Sequence, residues 1–473
     1  MSEIAPKLLH RERIMFLLGV IVTPLLLSPL GLNAKQLAAT GGFCVILYGA
    51  IFFWRLRLSF AFAGVTLLLI SGLLDIEHLI EFAGLEIILF LICMMMIIGF
   101  LEENLFFEYV IERLLKMVGP HPHLILGTMM VMAAVSAALV DEVTSILFMV
   151  AALLNLLGRS KVNAVPFIVM LVFATNIGSS ATVVGNPIGV IIALRSDLTF
   201  LDFLRWATPI SVVCLFAAIP ICLWFFRSQV AALSPVLEGR RGERRIEHVV
   251  EEELIPRHGI KRSALLLGGV VFGLILHHPL ETLLDLPRNT MFLGVAMAGA
   301  CVALVLSGSG ARKLVDTRVD WWTLLFFMML FASVGTLAQQ DVTGVVARHV
   351  IDLSNGNVPV LTVFFAWTSG ALTAVMDNVL AVATFVPVVS EVGDAGVQTF
   401  PLWWAMLFGG TLMGNLTMIG STANIVAVGV MERRRLGEIT FGEWLKAGTL
   451  VAVPTLVIAT LLLLVQLPLM PDR

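Results

Sequence analysis

Three acidic residues interrupt two otherwise apolar stretches of this sequence. Asp141 and Glu142 lie within residues 124–157, and Asp377 lies within residues 358–391. If these stretches enter a membrane, each carboxylate there costs roughly 2.5–3.5 kcal/mol and needs a reason to be present. A structural reason is capping: at the tip of a helical hairpin, each aspartate accepts hydrogen bonds from free N–H groups of the returning helix. A functional role in proton exchange is compatible with capping, because a capping carboxylate beside a cavity can also exchange protons.

Glu142 is the sharper candidate for proton exchange. Its counterpart in the second stretch is the uncharged Asn378, and two adjacent acids are more than one helix cap requires. Burial and the neighbouring charge of Asp141 both favour the protonated form of Glu142, as a proton carrier requires. The simpler alternative is a glutamate that pairs with a hydroxyl group or reaches a water-filled vestibule. We therefore predict proton coupling at Glu142, Asp141 and Asp377, with Glu142 as the principal group.

Two further apolar segments, residues 164–194 and 402–431, are interrupted in the middle by glycine, amide and hydroxyl residues. Glycines allow a helix to unwind there, which frees backbone carbonyls and amides to face a solute. Packing of small residues between helices is the alternative, but it explains less easily two polar clusters in matched positions. The residues predicted to bind the solute are Asn176, Ser179, Ser180, Thr182, Asn186, Asn378, Asn415, Thr417, Ser421 and Asn424.

Positive charges are missing from the same segments. No lysine or arginine occurs in residues 133–155, 173–193, 371–389 or 408–430. The predicted site therefore contains three carboxylates and no fixed cation. A proton, another cation or a neutral polyhydroxy solute suits such a site better than a multivalent organic anion does.

The composition indicates the environment of these elements. Of 473 residues, 59% are hydrophobic and 13% are charged, about half the charged fraction of soluble domains. The net charge of −3 gives no reason to expect a nucleic-acid partner. The five cysteines are scattered singly, so they predict neither a metal site nor a disulfide framework. We expect a membrane protein that is not an enzyme and that needs no cofactor or metal.

Eleven stretches are long enough to cross a bilayer, counting the two interrupted segments and excluding the two hairpins. Basic residues concentrate on one side of this topology, which places the N-terminus in the cytoplasm. The charged residues 228–262 are predicted to be a cytoplasmic linker. The predicted crossings are 14–30, 37–54, 58–75, 85–101, 164–194, 207–226, 263–278, 291–307, 321–338, 402–431 and 447–469.

The sequence also contains an internal repeat. Residues 136–153 match residues 369–389, and this match aligns Asp141 with Asp377. Each copy has five predicted crossings, and an odd number turns the second copy upside down relative to the first. Inverted repeats with broken helices place the solute site at the midplane, where the two copies meet. We therefore predict an all-α polytopic membrane protein of about 11 transmembrane helices plus two re-entrant hairpins. Its parts are an extra helix (1–36), a first repeat (37–227), the linker (228–262) and a second repeat (263–473).

These motifs resemble those of the ArsB/NhaD permeases of the ion transporter superfamily. The resemblance rests on Leu139–Ser145 and Phe173–Pro187 in the first copy and on Met376–Val379 and Gly414–Asn424 in the second. It implies a transport domain that moves against a scaffold, often in a homodimer, with arsenite, antimonite or sodium as the solute. The family motif Gly-Asp-Pro-Pro-Asn is replaced here by Gly-Asn-Pro-Ile-Gly at residues 185–189, and this loss of an acid favours the neutral solute.

The resulting hypothesis is an efflux permease for arsenite or antimonite in the bacterial inner membrane, driven by proton influx. A sodium/proton antiporter on the same scaffold is the first alternative. A facilitative channel driven by a partner ATPase is the second, since the chain has no GxxxxGK[ST] phosphate-binding loop of its own.

Overall fold

The computed structural model describes residues 4–118, 121–158, 162–235 and 257–471. These residues form α-helices joined by short turns, with no β-strand among them. The predicted all-α polytopic fold is confirmed. Arg159 and Lys161, which contributed to the predicted orientation, and residues 236–256 of the predicted linker lie outside the described residues.

The first half of the chain contributes helices that pack around a fully buried helix, Val165–Ser179. Two one-turn helices, Phe200–Asp202 and Arg227–Ala231, flank the last of these helices. In chain order the helices are α1 (Ile4–Leu27), α2 (Ala34–Phe52), α3 (Arg57–Ile70), α4 (Ile76–Phe82), α5 (Leu85–Glu103), α6 (Phe106–Met117), α7 (Pro122–Leu139), α8 (Glu142–Leu157), α9 (Val165–Ser179), α10 (Pro187–Ser196) and α11 (Thr208–Phe225).

The second half repeats this order of long, short and interrupted helices. Its first helix begins at Arg257, inside the segment predicted to be a linker. The helices are α12 (Arg257–Leu284), α13 (Thr290–Ser307), α14 (Ala311–Arg318), α15 (Trp321–Gln339), α16 (Val342–Ser354), α17 (Val358–Thr373), α18 (Asn378–Asp394), α19 (Phe400–Leu412), α20 (Thr422–Arg433) and α21 (Phe441–Gln466).

Nine helical stretches of the described residues are long and apolar enough to cross a membrane. Eight of them overlap predicted crossings, and the ninth is Pro122–Leu139, which was predicted as one arm of a hairpin. The predicted crossing 58–75 is shorter, because the helix ends at Ile70 and a turn follows. The predicted crossings 164–194 and 402–431 are each divided between two shorter helices.

The two halves interlock through their central helices. Helix α5 packs against α13 of the other half, where the rings of Phe90 and Phe292 stack 4.4 Å apart. In the same way α15 packs against α3, where Arg57 donates to Thr323. Since each half supplies part of the other's packing surface, the described helices form one continuous core.

The interrupted helices lie at the centre of this core. Every residue of α9 and of α19 is buried, although both segments contain small and polar residues. Close packing explains the glycines: a Cβ atom on Gly178 would meet the backbone of Ala134 in α7. Likewise, a Cβ atom on Gly409 would meet the backbone of Ala366 in α17. The hairpin arms therefore approach the interrupted helices at backbone contact distance.

Candidate functional site

Glu142 lies where the polar segments of both halves meet. It is the first residue of α8 and is only 2% exposed. Its Oε1 accepts hydrogen bonds from Asn378 Nδ2 at 3.3 Å and from Ser421 Oγ at 3.1 Å, and its Oε2 accepts one from Ser179 Oγ at 3.2 Å. Two of the three donors belong to the second half, so this carboxylate joins the halves directly.

Asp141 and Asp377 cap the returning arms of the two hairpins. Asp141 Oδ1 accepts from the backbone N–H groups of Val143 and Thr144 at 2.7 and 2.9 Å. Asp377 Oδ1 accepts from the N–H of Val379 at 3.0 Å. The capping interpretation is therefore confirmed for both aspartates. Glu142 is the residue that extends beyond the cap and contacts the polar clusters.

Asn176 connects the interrupted helices of the two halves. Its Nδ2 donates to Asn415 Oδ1 and to Asn424 Oδ1, both at 2.8 Å. Its Oδ1 accepts from Ser421 Oγ at 3.0 Å. Because Ser421 also donates to Glu142, the amides and the carboxylate form one continuous hydrogen-bonded cluster.

Two asparagines stabilise the unwound segments that divide the interrupted helices. Asn186 Oδ1 caps α10 by accepting from the N–H of Gly189 at 2.8 Å, and its Nδ2 donates to Ser179 Oγ at 2.9 Å. Asn424 Nδ2 donates to the carbonyls of Gly414 and Thr417, both at 2.7 Å. These amides satisfy backbone groups that the unwound segments leave without helical partners.

In each half, one threonine connects the unwound segment to the tip of the neighbouring hairpin. Thr182 Oγ1 donates to the carbonyl of Ala138, and Thr417 Oγ1 donates to that of Ala374 at 2.8 Å. Each acceptor lies three residues before the capping aspartate, so the contact is the same in both halves. Ser180 is also engaged elsewhere, with the carbonyl of Ile177 at 2.7 Å and with Ser211 at 2.8 Å.

The structure thus brings together Glu142, Asn176, Ser179, Asn186, Asn378, Asn415, Ser421 and Asn424 from the predicted set. Ser180, Thr182 and Thr417 use their hydroxyl groups in contacts that hold the helices rather than in this cluster. The cluster is closed, since the asparagines in it are at most 1% exposed. A cavity of about 520 Å³ lies elsewhere, between the ends of α8 and α20.

Comparison with known proteins identifies the family. The family model described as citrate transporter matches residues 44–409, more than half of the chain. The chain belongs to the citrate transporter family. An uncharacterized transporter of Mycobacterium tuberculosis is 32% identical over 383 residues, which cover 80% of this chain and 85% of that protein. The human P protein is 24% identical, over 79% of this chain and 52% of the P protein.

A solved structure shows the same fold. The YdaH transporter of Alcanivorax borkumensis, whose topology is described as unusual, superposes with a TM-score of 0.54. The match covers 86% of this chain and 89% of that chain at 15% sequence identity, so it concerns the fold alone. Family and fold together make this protein a multi-pass membrane transporter of the ion-transporter type.

Among the residues that the structure describes, one arginine is buried, and sequence reasoning missed it. Arg57, at the start of α3, is only 6% exposed. Its Nη2 donates to Thr323 Oγ1 at 2.7 Å, and Thr323 Oγ1 donates in turn to Asp320 Oδ2 at 2.6 Å. Arg57 falls between the predicted crossings 37–54 and 58–75, so it was counted among the basic residues of a cytoplasmic loop. Its position directly before an apolar run, beside Trp54, was the available signal.

Proposed function

We propose that this transporter is secondary-active and moves its solute out of the cell in exchange for protons that bind at Glu142. The observation that carries the proposal is that Glu142 accepts hydrogen bonds from both halves of the molecule while almost fully buried. A carboxylate that bridges two moving parts links its protonation to their relative position. Protonation replaces an acceptor by a donor and changes which contacts the halves can make.

Arsenite or antimonite is the solute class that we propose. The cluster presents amides and hydroxyls, the groups that hydrogen-bond the OH groups of a neutral hydroxylated solute. Citrate, which the family's description names, is a weaker candidate. It would bring up to three negative charges towards Glu142, Asp141 and Asp377.

A sodium/proton antiporter is the second candidate, and a specific observation favours it. Ser421 Oγ lies 3.1 Å from Glu142 Oε1 and 3.0 Å from Asn176 Oδ1, so three oxygen atoms of different chemical types lie close together. Carboxylate, amide and hydroxyl oxygens are the ligands that hard cations prefer. In this version sodium and protons compete for the same carboxylate.

The arrangement of the chain in the membrane belongs to the same proposal. We propose two inverted repeats, residues 37–227 and 263–473, with hairpins at 124–157 and 358–391 that open on opposite sides. The matching capping contacts of Asp141 and Asp377 support this assignment. We further propose a homodimer in the bacterial inner membrane with a cytoplasmic N-terminus.

Everted membrane vesicles test the function. Accumulation of arsenite or antimonite that a protonophore abolishes supports the first proposal, and sodium-induced proton release without arsenite uptake supports the second. Citrate accumulation would refute the neutral-solute argument. Uptake that does not depend on any ion gradient, or that requires a partner ATPase, would refute proton coupling. Vesicles that contain Glu142→Gln serve as the matched control.

A further inference from the structure

Two ion pairs join the end of α10 to helices of the surrounding core. Arg195 Nη2, in the last turn of α10, lies 3.5 Å from Glu86 Oε1 in the first turn of α5. Asp197, which caps the end of α10, accepts from Arg288 Nη1 at 3.0 Å and from Asn289 Nδ2 at 3.3 Å. The last two residues lie in the turn between α12 and α13. Opposite charges on two separate elements therefore hold the end of α10.

The other end of α10 lies in the hydrogen-bonded cluster. Asn186 caps the start of α10 and donates to Ser179 Oγ at 2.9 Å, and Ser179 donates to Glu142 at 3.2 Å. Helix α10 also packs against α18 and α19 of the second half. Its ten residues span about 15 Å. Because the cluster is closed, a solute reaches it only if the surrounding elements move, and a movement of α10 changes the distances in both ion pairs.

Helix α5 carries another ion pair at its opposite end. Arg318 Nη1, in the last turn of α14, lies 2.6 Å from Glu102 Oε2. Helix α14 packs against α5 and α13, so this pair joins two helices that are not interrupted. Glu86 and Glu102 are roughly 24 Å apart along α5. One helix thus carries both a pair to an element of the cluster and a pair that serves as a comparison.

The corresponding end of the second interrupted helix is not held in this way. Helix α20 ends at Arg433 and is followed by Arg434 and Arg435. All three side chains are exposed, and none of them pairs with a carboxylate within the part of the chain that the structure describes. The ion pairs therefore act on one interrupted helix only.

We propose that the pairs Arg195–Glu86 and Arg288–Asp197 form a clasp that stabilises the present conformation and opens when α10 moves to admit or release the solute. Because the end of α20 has no such pairs, the clasp favours this conformation over the alternative one. Its side chains are between 39% and 71% exposed, so each pair changes the equilibrium by a factor of about two to five and is weakened by salt. The inference rests on the chain being a transporter, whatever its solute and coupling ion are.

Distances between spin labels test the clasp without any solute. The labels are attached to Ser196→Cys at the end of α10 and to Thr290→Cys at the start of α13. Cys301→Ser removes the exposed native cysteine, and the other four cysteines are buried. Pulsed electron paramagnetic resonance on the full chain in liposomes then gives the fractions of molecules with a shorter distance, clasp closed, and with a longer distance, clasp open.

Four variants are compared in this labelled background. Arg195→Gln breaks one ion pair, and Arg195→Gln with Arg288→Gln breaks both. The charge swap Glu86→Arg with Arg195→Glu reverses the first pair while keeping its attraction. Arg318→Gln is the matched control, because it breaks the comparison pair at the opposite end of α5.

We expect Arg195→Gln to raise the ratio of longer to shorter distances about two- to fivefold, and the double variant to raise it about tenfold. The charge swap should return the ratio to that of wild type, and Arg318→Gln should leave it unchanged. About 1 M salt should raise the ratio in wild type but not in the double variant, which has no clasp to screen.

The same distance distribution in wild type and in the double variant would overturn the clasp. An equal shift in Arg318→Gln would overturn it as well, because the effect would then not be specific to α10. Predominance of the longer distance in wild type at low salt would mean that the clasp does not form. Failure of the proposed solute or of proton coupling appears only in transport assays, while the label distances still decide the clasp.

Discussion

Replacing Glu142 by glutamine should separate the charge of this residue from its hydrogen bonds. The glutamine carbonyl oxygen can accept from Asn378 and Ser421, as Oε1 does now. Its amide nitrogen can donate to Ser179, whose hydroxyl can then donate to the carbonyl of Asn176, its other acceptor at 3.0 Å. All contacts of the carboxylate are therefore replaced, and we expect the free energy of unfolding to change by about 1 kcal/mol or less.

The effect of Glu142→Gln on proton-driven accumulation of the solute should be much larger than its effect on stability. One proton that moves down a gradient of about one pH unit supplies about 1.4 kcal/mol, enough to hold a roughly tenfold concentration ratio of the solute. If Glu142 is the only exchanging group, glutamine removes this contribution completely. The solute concentrations on the two sides should then become equal, although exchange of labelled for unlabelled solute continues.

Purified protein in liposomes with an imposed pH gradient provides the assay. Accumulation of arsenite is measured for wild type, Glu142→Gln and Glu142→Asp, and exchange without a gradient is measured in parallel. The aspartate variant keeps a titratable group and should retain some accumulation. Gradient-driven accumulation by Glu142→Gln comparable to that of wild type would refute the assignment of proton coupling to this residue.

The remaining predictions concern the contacts that hold the cluster, and each is measured by thermal unfolding in detergent. Asn176→Ala removes three hydrogen bonds between the halves and should cost about 3 kcal/mol; an unchanged melting temperature would contradict its bridging role. Thr182→Val and Thr417→Val should each cost about 1 kcal/mol and add in the double variant, because the contacts lie in separate halves; strong non-additivity would contradict this. Gly178→Ala should cost about 2 kcal/mol through backbone overlap. Gly127→Ala, whose Cβ would meet only one side-chain atom at 3.8 Å, should be nearly neutral, and equal losses in both variants would refute the close-packing argument.

Local sequence signals predicted where the returning arm of each hairpin begins. Asp141 and Asp377 each begin a helix, as capping residues do. Asn186 followed by Pro187 carries the same kind of signal at the start of α10, although Asn186 was predicted to bind the solute and no helix start was predicted there. These features depend on neighbouring residues only, so a single sequence reveals them.

Long-range geometry was harder to predict. Residues 58–75 were predicted as one crossing because hydropathy continues through the turn after Ile70, and apolar turn residues do not reduce it. The hydrogen bond from Asn176 to Asn415 joins residues 239 positions apart. Residue type showed that amides occur in both segments, but only the packing of α9 beside the second half determines which amides meet.

The direction of a side chain was a second limit. Thr182 and Thr417 were predicted to bind the solute because they lie in matched polar segments. In the structure their hydroxyl groups donate to the hairpin carbonyls of Ala138 and Ala374, and solute binding by them stays a prediction. A threonine near an unwound helix satisfies free backbone acceptors as readily as a ligand, and the sequence does not distinguish the two uses.

The two halves differ at the position that sets the charge of the cluster. Asp141 and Asp377 correspond, but the residues that follow them are Glu142 and Asn378. If the second half also carried a glutamate there, two carboxylates in one closed cluster would repel each other, and one would need a proton or counter-ion at all times. Asn378 instead donates a hydrogen bond to Glu142 at 3.3 Å without adding charge. The contacts inside the cluster therefore centre on one carboxylate, while both aspartates act as helix caps. Under the proposed coupling, Glu142 is then the one group of the cluster that exchanges a proton, so the coupling depends on the departure from the repeat at residue 378 as well as on the repeat itself.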